Sequence, residues 1–141
     1  MPQGAADKLT LDRMKKRADF LRAQKGQRRA LRGLILEACA SPAAIFRERG
    51  ARVGFTASRK IGGAVERNRA KRRLRAAAMA ALPLLGREGH DYVLVARTAT
   101  LSLPFVELTR DLENALAAVH AALDRAERPV PARTMAPAPG K

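Results

Sequence analysis

The stretch Gly62-Gly63-Ala64-Val65-Glu66-Arg67-Asn68-Arg69-Ala70-Lys71-Arg72-Arg73-Leu74-Arg75 opens on two glycines and then meets no helix breaker until Pro83. Paired glycines interrupt regular structure, and a helix does not easily continue through proline. The spacing therefore predicts a helix from about Ala64 to Leu82. Turned at about 100° per residue, its side chains separate. Arg67, Lys71 and Arg75 make one stripe with Asn68 and Arg72 beside it, and Arg69 and Arg73 flank from the other side. Ala70, Leu74, Ala77 and Ala81 gather into a narrow apolar strip, small enough to let the helix dock closely on a sheet.

Strand signals lie on both sides of this helix. Arg52 to Ser58 alternates, with Val53, Phe55 and Ala57 on one face and Gly54, Thr56 and Ser58 on the other. Asp91 to Ala96 holds Tyr92-Val93-Leu94-Val95, a β-rich run suited to a central strand. Farther upstream, Arg32 to Ala40 contains an apolar run stopped by Ser41-Pro42, and Phe46 to Ala51 reads as a turn. Met14 to Lys25 predicts a short first helix, ended by Gly26, with Leu21 and Phe20 beside it turned inward. Pro104 opens a last helix whose stripe is Phe105, Leu108, Leu112, Ala115, Leu116, Val119 and Leu123. The order α-β-β-α-β-α defines an α+β fold, a single-domain α/β sandwich of helices packed against one sheet. The expected organisation is a flexible segment over 1–12, one α/β domain over 13–126, and a proline-rich disordered tail over 127–141.

Charge narrows the function. Residues 1–81 carry 21 Lys and Arg against 6 Asp and Glu, a net of +15, whereas 82–141 carry 7 of each. An excess so one-sided points to a polyanionic partner. In the Arg67–Arg75 stretch six cations have only Glu66 to pair with, and like charges one turn apart repel by a few tenths of a kcal/mol per pair. Phosphates bound between them relieve that repulsion. Five of the six are arginine, whose planar fork matches phosphate in a bidentate way. A membrane-surface helix needs large apolar side chains opposite the cations, where this one has mostly alanine, so no membrane partner is expected. With no signal-like apolar start, a cytoplasmic location is the default.

Catalytic groups are sparse. Cys39 is the single cysteine, and its apolar surroundings suggest a buried thiol rather than a nucleophile. His90 and His120 lie in separate segments without a partner at metal-ligand spacing, and no close Asp/Glu cluster stands in the basic half. No metal site and no catalytic residues are expected in the protein itself.

The longer run from Ser58-Arg59-Lys60-Ile61 through the quoted stretch resembles the signature of the bacterial ribonuclease P protein component. Three flanking segments agree: Arg13-Met14-Lys15-Lys16 with Asp19-Phe20, Arg52-Val53-Gly54-Phe55-Thr56, and Asp91-Tyr92-Val93-Leu94-Val95-Ala96-Arg97. The resemblance implies a left-handed βαβ crossover around the motif helix, against the usual hand. It also implies a division of labour. The RNA subunit cleaves the 5′ leader from precursor tRNA with Mg²⁺ that it binds itself, and the protein binds that RNA and the leader without an obligatory protein partner. Carried onto this chain, Arg59, Lys60, Arg67, Asn68, Arg69, Lys71, Arg72 and Arg75 would contact the RNA subunit. Lys16, Phe20, Leu36 and Phe55 would line the leader cleft, although Phe20 also suits a core position. Gln24 and Glu37 stand where the family often carries aromatics. The residues alone leave two alternatives open, an RNA-binding structural protein such as a ribosomal protein and a small nuclease acting alone.

Overall fold

The computed structural model describes residues 8–42 and 48–127. Strand β1 (Thr10–Arg13) leads into helix α1 (Arg17–Gln24), followed by strands β2 (Gln27–Ala30), β3 (Leu34–Ala40) and β4 (Gly50–Thr56). A short 3₁₀ turn (Arg59–Ile61) precedes helix α2 (Ala64–Leu85), and strand β5 (His90–Ala96), a second 3₁₀ turn (Thr98–Leu101) and helix α3 (Phe105–Glu127) complete the order. The five strands form one sheet in the order β1-β4-β5-β3-β2. β4 and β5 are parallel neighbours, Val53 opposite Tyr92, so α2 is the crossover of a βαβ unit. β3 runs antiparallel to β5, and β2 antiparallel to β3.

Strand parity decides which side chains meet which helix. On one face, Leu34, Leu36 and Ala38 of β3, Val53 of β4 and Tyr92 and Leu94 of β5 pack against α2 and α3. The small strip Ala70, Leu74, Ala77 and Ala81 is buried there, and so are Leu108, Leu112, Ala115, Leu116, Val119 and Leu123 of α3. Phe105, expected in that stripe, is instead 42% exposed, because the first turn of α3 extends past the core. On the other face α1 covers a smaller cluster of Met14, Ala23 and Val93, with Phe20, Cys39 and Val95 partly buried beside it. Cys39 is half-buried, and burial pushes its thiol up to about 11, consistent with an inert side chain.

Several boundaries differ from the sequence reading for physical reasons. Residues 10–13, assigned largely to a flexible segment, form β1, and 27–30 form β2; both are edge strands. The mostly exposed Gln27-Arg28-Arg29-Ala30 has no apolar alternation to betray it, and only the pairing with β3 makes it a strand. α2 passes through Pro83 and ends at Gly86. Near a helix end proline forfeits one hydrogen bond, while the Pro83 carbonyl accepts the Leu9 N–H at 2.8 Å and the adjacent Leu82 is completely buried. The expected turn at 46–51 holds at Glu48-Arg49, but strand β4 begins at Gly50, and residues 46 and 47 lie outside the described residues. The expected tail lies outside them beyond Glu127.

Helix α1 is shorter than expected and turned differently. It buries Asp19 and Ala23 and leaves Leu21 41% exposed. The cause is ionic. Arg52 donates from Nε and Nη2 to Asp91 at 2.9 and 2.7 Å, and from Nη1 to Asp19 at 3.0 Å. Ser41 Oγ also donates to Asp91 at 2.5 Å, and Arg22 Nη1 donates to Asp19 at 3.0 Å. The Arg52 guanidinium, aided by Arg22, holds the Asp19 carboxyl below its ordinary range against the opposing effect of burial. This network rivets α1 to the sheet through a polar contact, and an amphipathic projection looks only for an apolar one.

Candidate nucleic-acid interface

The basic helix is launched by local chemistry. Ser58 Oγ accepts the Lys60 N–H at 3.3 Å and caps the first 3₁₀ turn. Gly62 then takes a φ of 142°, a conformation side-chain-bearing residues rarely adopt. A carboxylate oxygen of Glu66 accepts the Gly63 N–H at 3.0 Å, so the only acid of the motif closes the helix N-terminus. That leaves Arg59, Lys60, Arg67, Arg69, Lys71 and Arg72 without an ion pair among the described residues. Arg59, Lys60, Asn68, Arg69 and Arg72 are exposed, and Arg67, Lys71 and Arg75 half-exposed.

Two arginines of the stretch are tied down. Arg73 donates from Nε to the Thr100 carbonyl at 2.8 Å and from Nη2 to the Leu103 carbonyl, binding α2 to the second 3₁₀ turn. Arg75 lies over the Phe55 ring, 5.5 Å from its centroid, a cation–π contact that holds its guanidinium against the helix-side surface.

A cleft of about 360 Å³ opens on the opposite sheet face, lined by Arg17, Phe20, Leu21, Gln24, Arg28, Glu37, Thr56, Val93 and Val95. That volume is within the range of sites that take small molecules. Phe20 reaches the sheet because Gly54 has no side chain: a Cβ there would meet the ring at 2.5 and 2.6 Å. Burial raises the Glu37 carboxyl above its ordinary value, and Arg28 only partly offsets that.

Of the expected leader-cleft residues, the structure brings only Phe20 here. Leu36 is completely buried under α3, and Phe55 faces α2, both on the far side of the sheet. Their strand neighbours Glu37 and Thr56 face α1 instead, a one-residue difference in parity. Lys16 caps α1 with its carbonyl, which accepts from Asp19 N–H at 3.0 Å, while its side chain is exposed and Arg17 walls the cleft. Gln24 and Glu37, noted in the sequence for standing at usual aromatic positions, both line it. Arg28 was missed because it belongs to the unrecognised strand β2.

Elsewhere, the buried Tyr92 hydroxyl accepts the Arg87 N–H at 2.8 Å and lies 2.7 Å from His120 Nε2. Burial, with Arg87 adding to it, pushes His120 down to about 4. Among the described residues no three His, Cys, Asp or Glu side chains come together as a metal site, and no helix is long and apolar enough to cross a membrane.

One sheet between helices, with a row of arginines along one crossover helix and a cleft behind it, defines an α+β domain with a strongly cationic helix. Comparison with known proteins makes the class specific. The ribonuclease P family model matches residues 10–120, and the chain belongs to that family. The ribonuclease P protein component of Ruegeria pomeroyi is 48% identical over 109 residues, covering 77% of this chain and 86% of that protein. The Caulobacter vibrioides component is 44% identical over 122 residues, 83% and 76% of the two chains. The solved Staphylococcus aureus RNase P protein superposes with a TM-score of 0.60 at 29% identity, covering 75% of this chain and 93% of that one. The Thermotoga maritima RNase P protein, at 22% identity and a TM-score of 0.62, supports the fold alone.

Proposed function

We propose that the chain is the protein subunit of ribonuclease P, binding the catalytic RNA through the outer face of α2 and holding the 5′ leader of precursor tRNA in the cleft beneath α1. The carrying observation is the set of cations on α2 and its leading turn that find no acid among the described residues, since Glu66 is spent on the helix N-terminus. Such groups gain most when phosphates replace their counterions. The leader assignment rests on the cleft itself: Phe20 offers a stacking face, Arg17 and Arg28 offer phosphate contacts, and an unpaired strand enters where a duplex does not. On this reading the Mg²⁺ that drives hydrolysis is held by the RNA subunit.

The test is cleavage of a precursor tRNA by a bacterial ribonuclease P RNA at low Mg²⁺, with the protein, without it, and with the protein alone. Release of the mature 5′ end that depends on the protein, beside an inert protein-only control, is the expected result. Absence of stimulation favours an RNA-binding structural role, and cleavage by the protein alone overturns the division of labour.

A further inference from the structure

Glu37 is an oddity in a chain of net charge +15. Its side chain is only 7% exposed, yet it belongs to the wall of an open cleft. No hydrogen bond reaches its carboxylate among the described residues, and its one ion pair, to Arg28 Nε, spans 3.9 Å, beyond hydrogen-bond range. Phe20, Val93 and Val95 of the same cleft have no donor to offer, and Gln24 and Thr56, which do, make no hydrogen bond to it among the described residues. A carboxylate held in such surroundings has unused acceptor capacity, and a donor arriving from outside gains more there than in open water.

The charge arrangement favours a base over a phosphate against the Glu37 carboxylate. A phosphate is repelled by Glu37 and attracted by Arg17 and Arg28, which are exposed and line the same cleft. A single strand therefore enters with its backbone toward the arginines and a base toward Glu37, beside the Phe20 ring. The Watson–Crick edges of unpaired bases are free to be read. Guanine offers N1–H and its 2-amino group side by side, matching both carboxylate oxygens. Cytosine and adenine each offer one amino group. Uracil offers a lone N3–H between two carbonyls, so one carboxylate oxygen faces another oxygen.

We infer that Glu37 is a specificity-determining residue that reads one base of the bound leader, favouring guanine and discriminating against uracil. The inference rests on the proposed binding of the leader in this cleft.

The experiment uses the full chain reconstituted with a bacterial ribonuclease P RNA and a set of precursor tRNAs differing by guanine or uracil at single leader positions. A further substrate has its leader cut to one nucleotide. With the native chain, one position is expected to favour guanine over uracil by about tenfold in affinity. Glu37→Gln, which is isosteric and able to donate as well as accept, should reduce that ratio to about twofold, and Glu37→Ala should do the same. Native discrimination below twofold at every position, or a ratio unchanged in both variants, overturns the inference even where the long leader still strengthens binding. If the protein gives the long leader no advantage over the short one, the leader-binding reading fails first, and this inference with it.

Discussion

Arg69 and Arg73 stand one turn apart on α2 and are indistinguishable in the sequence, yet the structure gives them opposite work. Arg73 donates to the carbonyls of Thr100 and Leu103, and a hydrogen bond from a charged donor contributes about 1.5–3 kcal/mol. Because Arg73 is half-exposed, water replaces part of what is lost, so Arg73→Ala should cost roughly 2–3 kcal/mol. In a domain of this size that lowers Tm by on the order of 10 °C. Arg69 is exposed and without an ion pair among the described residues, so Arg69→Ala should leave Tm nearly unchanged. On the proposed interface its effect should fall on RNA binding: the slope of log affinity against log salt drops by roughly 0.7–0.9 for a lost phosphate contact. Thermal melts, and binding to a bacterial ribonuclease P RNA over graded salt, read the two effects separately. A lower salt slope for Arg73→Ala at unchanged Tm, or a lower Tm for Arg69→Ala at unchanged slope, would refute the assignment.

Other perturbations test the rest of the molecule. Asp19 has a folded pKa below its unfolded one, so its stabilising contribution is complete above the ordinary carboxylate range and is lost as pH falls through the depressed value. Asp19→Asn should flatten the acid limb of stability against pH in urea unfolding; an unaltered limb would place the proton uptake elsewhere. His120 is held near 4 in the fold against an ordinary 6.5, so the unfolded chain takes up its proton first, and stability should fall as pH drops from 6.5 to about 4. Titration of the His120 ring by NMR checks the value, and His120→Gln should remove that part of the slope. Gly54→Ala drives a methyl into the Phe20 ring, which must shift. We expect leader-dependent affinity for precursor tRNA to drop severalfold while affinity for the RNA subunit stays the same; equal losses in both would mean that the substitution disturbs the whole sheet.

Local pattern revealed much of the architecture. The α2 strip of alanines and Leu74, the alternation through Val53, and the apolar stripe from Leu108 to Leu123 are all buried as the periodicities require. Each carries its evidence within a few residues. The edge strands did not, since half-exposed chain has no reason to alternate. Nor did the inward turn of Asp19, which depends on an arginine and an aspartate brought from two other strands.

The same division runs through the candidate site. Lopsided charge, arginine density and the glycine turn were legible because electrostatic recognition of a polyanion needs many like charges at helical spacing, and that is a property of composition and period. The cleft was not. Whether Leu36 or Glu37 faces α1 is decided by the pairing of β3 with β5, and whether an arginine is free or tied down is decided by what lies across from it. The sequence by itself determined an α+β sandwich in which one helix carries a dense, one-sided set of cations. Only the tertiary structure decided which face of the sheet forms the cleft and which arginines remain free, because strand parity and side-chain partners come from distant parts of the chain.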